Sequence, residues 1–323
     1  MRPYTRRDFV LGAAALGAAS LPPAVLGQGL SAQPISLIVP FAPGGNLDVV
    51  ARTLSVPLSR QLKQTIVVEN RTGAGGAIGT AVVARAEPDG HTLLVASTSQ
   101  LSTLPHMLST QYSLNSFQPV GMITRTSMIV VVRSDDKRFG DFADFLAVAR
   151  QQSEAVNAGH AGAGTANHLA MVQLEDAANI KFNSIAYRGS SPALLGLLGG
   201  HVDVVFDQVT SSMPYLEAGT LRALAVLGPE HEPTLPKVPA MPQLDVKAFD
   251  ATTYVGLIAP SQTPPTILAT LAQALQEALK NEKLTSTLSQ LGGIVYPAPG
   301  SEFEHLLQVE DGLARQLAKQ GRL

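Results

Sequence analysis

The stretch Ile35-Ser36-Leu37-Ile38-Val39-Pro40-Phe41-Ala42-Pro43-Gly44-Gly45-Asn46-Leu47-Asp48-Val49-Val50-Ala51-Arg52 decides the fold. Its first five residues make a short apolar run with the β-branched content of a buried strand. Beyond the turn, Leu47, Val50, Leu54, Leu58 and Leu62 recur at spacings of three and four, the apolar stripe of a helix. Pro57 interrupts that stripe and predicts a kink. Between strand and helix stand two adjacent glycines, whose missing Cβ atoms permit unusual dihedrals and a close approach to the backbone. A strand that feeds a helix through such a turn leaves N–H groups unpaired at the positive end of the helix dipole. That arrangement suits an anion such as a carboxylate. Many strand-to-helix turns carry glycine only in order to turn, so the remaining chain has to weigh between the two readings.

The pattern repeats along the chain. Strands are predicted at Ser36–Val39, Ile66–Glu69, Thr92–Ala96, Val120–Ile123, Met128–Arg133, Val156–Ala158, Phe182–Ala186, Val202–Phe206, Ala223–Val226, Val255–Ala259 and Ile294–Tyr296. Helices are predicted between most of them, at 46–62, 76–86, 140–152, 165–178, 192–198, 212–217, 264–280, 283–291 and 301–319. Such alternation predicts an α/β architecture with largely parallel sheets. Five prolines between Pro229 and Pro242 mark an irregular connection, and no internal repeat or coiled-coil heptad is present.

The N-terminus reads Thr5-Arg6-Arg7-Asp8-Phe9-Val10-Leu11, followed by an Ala/Gly/Leu-rich stretch. Paired arginines before a short, mildly apolar segment resemble a twin-arginine export signal; an ordinary Sec signal with a basic start is the alternative. Residues 1–27 are the expected signal peptide, with cleavage after Gly27 first and after Ala32 second. The expected destination is the periplasm. Removing Arg2, Arg6, Arg7 and Asp8 with that segment leaves 20 basic against 24 acidic side chains, a net charge of −4. Without a basic tract, nucleic acid is excluded as a partner, and an anion has to be held by local dipoles instead of long-range attraction. The chain has no cysteine, so neither a disulfide scaffold nor a cysteine-linked lipid anchor is open to it.

Several other helix starts share the logic of the first turn. Gly162-Ala163-Gly164-Thr165-Ala166-Asn167-His168 opens a helix with Thr165 as candidate N-cap. In Tyr187-Arg188-Gly189-Ser190-Ser191-Pro192, Ser191 suits the N-cap and Pro192 the first helical position. Ser97-Thr98-Ser99 and Asp207-Gln208-Val209-Thr210-Ser211 end further strands. Turns of this kind converge where open α/β sheets bind ligands. Asp48 is expected to point away from an anion and brace the Gly-Gly turn, unless the ligand carries an amine. Catalytic patterns are missing: no short histidine metal pattern, no nucleophile elbow, no Walker loop. Gly73-Ala74-Gly75-Gly76-Ala77-Ile78-Gly79 fails as a dinucleotide fingerprint because Ile78 takes the third glycine's place. No catalytic residue, metal or cofactor is therefore expected.

These residues resemble the periplasmic solute-binding receptors of tripartite tricarboxylate transporters, the Bug-type proteins. The resemblance is collinear from Pro34 to Leu323. Its landmarks are Pro40–Arg52, Val67–Arg71 with Gly73–Gly76, Pro88–Leu94, Tyr187–Gly189, Leu197–Asp203 and Leu221–Val226. It implies a two-lobed periplasmic-binding-protein fold with a ligand cleft between the lobes. Lobe one would comprise 34–130 plus 254–323 and lobe two 131–253, joined by crossing segments near Met128–Arg133 and Tyr254–Ala259. It implies carboxylate binding through backbone amides and hydroxyls at Phe41, Ala42, Pro43, Gly44, Gly45 and Asn46 on one lobe. Gly164, Thr165, Ala166 and Asn167 would act from the other, with Ser97, Thr98, Ser99 and Asp207 lining the cleft. Arg188 either adds charge or stands exposed beside the turn, and Asp48 completes the candidate set. Departures from the family pattern are Asn46, Leu47 and Ala166 where small hydroxyl residues are common, His91 for a usual Tyr, and Tyr254 for a frequent Trp. They point to a ligand less polar than a tricarboxylate. The implied partners are a small organic acid and membrane transporter subunits, with the receptor a monomer. A receptor that presents ligand to a sensor kinase and a secreted cofactor enzyme are the alternatives.

Overall fold

The computed structural model describes residues 30–151 and 154–320, so the expected signal peptide lies outside the described residues. The described strands are β1 Ile35–Val39, β2 Ile66–Asn70, β3 Thr92–Ser97, β4 Phe117–Thr126, β5 Met128–Arg133, β6 Asn157–His160, β7 Asn183–Ala186, β8 Val204–Gln208, β9 Leu221–Val226, β10 Thr253–Pro260 and β11 Gly293–Val295. They build two sheets, in the orders β11-β4-β10-β3-β1-β2 and β7-β6-β8-β5-β9. The two-lobed α/β fold is thus present.

The expectation of largely parallel sheets needs correction. Only β2-β1-β3 and β7-β6-β8 are parallel. β10 runs antiparallel to β3 and β4, β11 to β4, and β5 to β8 and β9. The cause is the connection between the sheets. Parallel neighbours require a crossover, usually a helix. Here β4 and β5 are separated by Ser127 alone, so the chain passes from one sheet into the other without one. It returns to β10 through the irregular proline-rich connection that the five prolines predicted.

Apolar side chains cover both faces of each sheet. Leu37, Val39, Leu93 and Leu257 pack on one face of the first sheet, and Ile38, Leu94 and Ile258 on the other. In the second sheet Val130, Val132 and Phe206 oppose Ile129, Val131 and Val205. Burial on both faces is why these strands read as continuous apolar runs.

The helix Asn46–Leu62 buries Leu47, Val50, Leu54 and Leu58, and it continues through Pro57. Two short helices, Thr98–Ser102 and Leu104–Met107, lie outside the expected set. Thr98-Ser99-Gln100-Leu101-Ser102 carries no apolar stripe, so periodicity had nothing to report there. The helix after β7 is Ser190–Leu198 with Gly189 at its N-cap, two residues earlier than the Ser191 cap suggested. Gly189 permits the early start because its φ of 138° lies where L side chains rarely go.

Candidate functional site

The Gly-Gly turn is built from its surroundings. Gly44 has φ 82°, a left-handed conformation that favours glycine. Gly45 is extended at φ −80°, ψ 169°, which any residue adopts. A methyl group there would sit 3.6 Å from Cβ of Ser190 on the other lobe, an ordinary van der Waals contact, so only a larger side chain would press on that lobe. No side chain caps the helix that follows, so its first N–H groups stay open toward the space beyond.

Asp48 holds the turn. Its Oδ2 accepts the Gly44 N–H and the Arg52 Nε–H, each at 2.9 Å, and its Oδ1 accepts from Asn70 Nδ2 at 2.8 Å. Asn70 Nδ2 also donates to the carbonyl of Phe41 at 2.9 Å. Burial pushes the Asp48 carboxyl up, but the hydrogen bonds from Arg52, Gly44 and Asn70 together outweigh it and hold the group below its ordinary value. Asp48 thus braces the Gly-Gly turn.

The turn before the helix Ala166–Ala178 is held by two imidazoles. Gly162 N–H donates to Nδ1 of His160 at 3.2 Å, and Gly164 N–H to Nδ1 of His168 at 3.3 Å. The rings lie 4.7 Å apart. Burial, then the charge of its neighbour His168, lowers His160 to about 4; burial lowers His168 as well. Both are neutral at pH 7, with the proton assigned to Nε2 by these hydrogen bonds. Thr165 is the N-cap: its Oγ1 accepts from His168 N and donates to the Gly162 carbonyl at 2.7 Å.

Phe41, Gly45, Asn46 and Ser97 from one lobe meet Thr165, Ala166 and Asn167 from the other around a cavity of about 20 Å³. That volume holds a water molecule but not an organic acid, so the lobes are shut on the site. Leu47, Gln100, Ala161, Ser190, Gln208 and Thr253 complete the lining, and none of the lining residues is charged. Four helices of nine or more residues begin at this wall, at Asn46, Ala166, Ser190 and Val209. Asn167 Nδ2 donates to the Phe206 carbonyl at 2.9 Å and approaches Oε1 of Gln208 at 3.3 Å. Gln208 Nε2 in turn reaches Thr253 Oγ1 at 3.4 Å. Across the lobes, Thr210 Oγ1 donates to Asn46 Oδ1 at 2.6 Å and Ala42 N–H to the Arg188 carbonyl at 3.3 Å.

Other candidate residues take different positions. The N–H groups of Ala42, Gly44 and Gly164 and the Thr165 hydroxyl already have partners within the protein, so these groups are not free donors here. Pro43 and the Arg188 side chain are exposed. Ser99 Oγ lies 3.1 Å from Ser97 Oγ and accepts from Gln100 Nε2, while the Thr98 hydroxyl faces Glu310. Asp207 is fully buried behind the wall, accepting from Ser211, Ser212 and Asn167 at 2.6, 2.8 and 3.1 Å. Burial pushes its carboxyl up against the pull of hydrogen bonds from Ser190, Ser211 and Ser212. Ser190 and Gln208 belong to turns singled out by their composition, whereas Gln100, Ala161 and Thr253 carry no local signal. The glycine run that failed as a dinucleotide fingerprint has a structural use. A methyl group on Gly75 would lie 2.3 Å from the Ala163 carbonyl oxygen of the opposite lobe.

A larger groove of about 630 Å³ lies between His106, Tyr112 and Phe117 and the helix Gly300–Lys319. It is set apart from the converging helix starts, and we take the small cavity as the site because buried polar groups and four helix dipoles meet there. Among the described residues no helix is long and apolar enough to cross a membrane, and no cluster of metal-ligating side chains occurs.

Comparison with known proteins identifies the family and the fold. The chain is 36% identical over 262 residues to the UPF0065 protein in the tcbD-tcbE intergenic region of a Pseudomonas species, covering 80% of this chain and 78% of that one. The solved periplasmic binding protein BugD superposes with a TM-score of 0.83 at 31% identity, over 90% of this chain and 98% of its own. MatC from Rhodopseudomonas palustris, solved with bound malate, gives 0.84 at 28% identity, over 88% and 99%. Residues 50–320 match the model of the tripartite tricarboxylate transporter family receptor. The chain therefore belongs to that family, as a Bug-type solute-binding receptor and not an enzyme.

Proposed function

We propose that the protein works outside the cytoplasm, where it captures a small organic acid between its lobes and delivers it to a tripartite tricarboxylate-type membrane transporter. The observation that carries this reading is the convergence of four helix N-termini on one uncharged wall. Each terminus presents roughly half a positive charge, and the helices that open at Asn46 and Ser190 have no side-chain cap, which favours an anion without any cationic side chain. The carboxylate sits at those termini, held by backbone amides around Gly45–Leu47 and by the polar side chains of Asn46, Ser97, Ser190 and Gln208. Phe41, Leu47, Ala161 and Ala166 face the organic body, which suits an acid less polar than a tricarboxylate.

The lobe division 34–130 with 254–323 against 131–253 belongs to this reading, supported by the change of sheet at Ser127 and the return at β10. So does a monomeric receptor. Leu30 packs against the core of the first lobe and Ser31 bonds to His91, which favours cleavage after Gly27 over cleavage after Ala32.

Thermal unfolding of the mature protein against mono-, di- and tricarboxylates and aromatic acids tests the reading. A ligand at a hundred times its Kd adds about 2.7 kcal/mol of stability. A shift confined to one class of acid supports the receptor and names its ligand. A flat panel, on protein shown by mass spectrometry to carry no retained ligand, overturns it.

A further inference from the structure

We infer that Asn46 and Thr210 act as one unit that reads a carboxylate oxygen and ties its capture to lobe closure, an inference that rests on the receptor reading above. Asn46, 4% exposed, opens the helix Asn46–Leu62 of the first lobe; Thr210, 1% exposed, stands in the helix Val209–Glu217 of the second. Their side chains meet at 2.6 Å.

That distance assigns the direction of the amide. It matches an O–H···O bond, commonly about 2.7–2.8 Å, and is short for N–H···O at about 2.9–3.0 Å. Thr210 therefore donates to Oδ1, which leaves Nδ2 as the free end of an amide that lines the cavity. Nδ2 is buried without any hydrogen-bond partner. A buried, unpaired amide donor is costly, and a guest that supplies only acceptors removes the cost. A carboxylate oxygen is such a guest, and the helix dipole behind Asn46 favours its charge. A guest that offers only an N–H at this point meets donor against donor, and the amide cannot reverse without losing Thr210.

Closure enters because the two residues belong to different lobes. The Thr210 methyl lies against Gly293 of the first sheet, where an added methyl group would sit 3.1 Å from it, so the bond to Asn46 is made with the two sheets packed together at this point. Opening frees the amide to rotate; closing aims it. Asn46 thus reads an acceptor oxygen, the helix dipole favours its negative charge, and Thr210 is the positioning residue.

The test is isothermal titration of malate, adipate and benzoate, within a wider panel of mono-, di- and tricarboxylates, into wild type, Asn46→Asp, Thr210→Val and Thr210→Ser. Asn46→Asp keeps the shape and the bond from Thr210 but turns an acceptor to the cavity; it should weaken the best acid by about 100-fold. Thr210→Val should weaken it about tenfold and shift the acid-free protein toward a more open form in small-angle X-ray scattering, with Thr210→Ser restoring both. If circular dichroism shows Asn46→Asp unfolded, the Thr210→Val and Thr210→Ser pair decides. Wild type that binds an acid while Asn46→Asp or Thr210→Val stays within about threefold of it overturns this inference and leaves the receptor reading standing. Wild type that binds no acid overturns the receptor reading itself, and this inference with it.

Discussion

Asp48 accepts the backbone N–H of Gly44 at 2.9 Å, four residues back along the chain, so the one carboxylate beside the Gly-Gly turn is directed at the turn and not at the cavity. The same Oδ2 takes the Nε–H of Arg52, which leaves the carboxylate no free side toward a ligand. Asp48→Asn should place an amide N–H against one of these donors and destabilise the protein by about 1–3 kcal/mol in urea denaturation. The sign with pH is fixed by the lowered carboxyl. Its stabilisation is present above the ordinary carboxylate range and is lost as pH falls through the folded-state value, so the variant should flatten the acid limb of the stability curve. An unchanged acid limb removes Asp48 as the brace.

Gly45 separates binding from folding. Its backbone is extended, so Gly45→Val should leave the melting temperature of the acid-free protein within a few degrees. Ser190 approaches to 3.6 Å of the position a Cβ would take, so the branched side chain should hold the lobes apart and abolish acid binding by titration calorimetry. Retained affinity in that variant removes the turn from the site.

His160 gives the second turn an acid limit. The folded protein keeps this imidazole neutral down to about 4, whereas an unfolded histidine binds a proton near 6.5. Between those values the unfolded chain holds more protons, so stability falls as the pH drops from 6.5 to about 4, by up to about 3 kcal/mol. His160→Asn keeps an acceptor near Gly162 N–H and should flatten that slope, measured by urea unfolding at stepped pH. A slope identical to wild type assigns the acid sensitivity elsewhere.

Glu310 acts in the opposite direction. Burial raises its carboxyl to about 7 against a hydrogen bond from Thr98. The folded state then holds a proton that the unfolded chain releases near 4.5, so this residue's contribution is lost as pH rises through 7. Glu310→Gln should be more stable than wild type by about 1–3 kcal/mol at pH 8 and nearly equal at pH 4, the half-buried position reducing the full effect. Equal stability at both pH values shows the carboxyl to be ionised without cost.

Much of the fold was legible in the chain. Each expected strand has its counterpart, because apolar runs of three to six residues bounded by turns have few other uses in a chain this long. The first helix and Thr165 as an N-cap were equally readable, since each rests on residues adjacent in sequence, and the family was readable from landmarks spread collinearly along the chain. Strand direction was not. β4 and β5 look like any two strands until one sees that Ser127 carries the chain straight from one sheet to the other.

Local pattern by itself determined that Gly44 turns the chain, that Asn46 begins a helix, and that anion-favouring helix starts recur. Only the tertiary structure decided which donors remain available. The N–H groups of Gly44 and Gly164 are taken by Asp48 and His168 within their own turns, while Nδ2 of Asn46 is left unpaired because Thr210 occupies its Oδ1. Asn46 and Thr210 are 164 positions apart. A helix start is specified by neighbours a few bonds away, but the direction in which an amide points is set by whatever the fold packs against it.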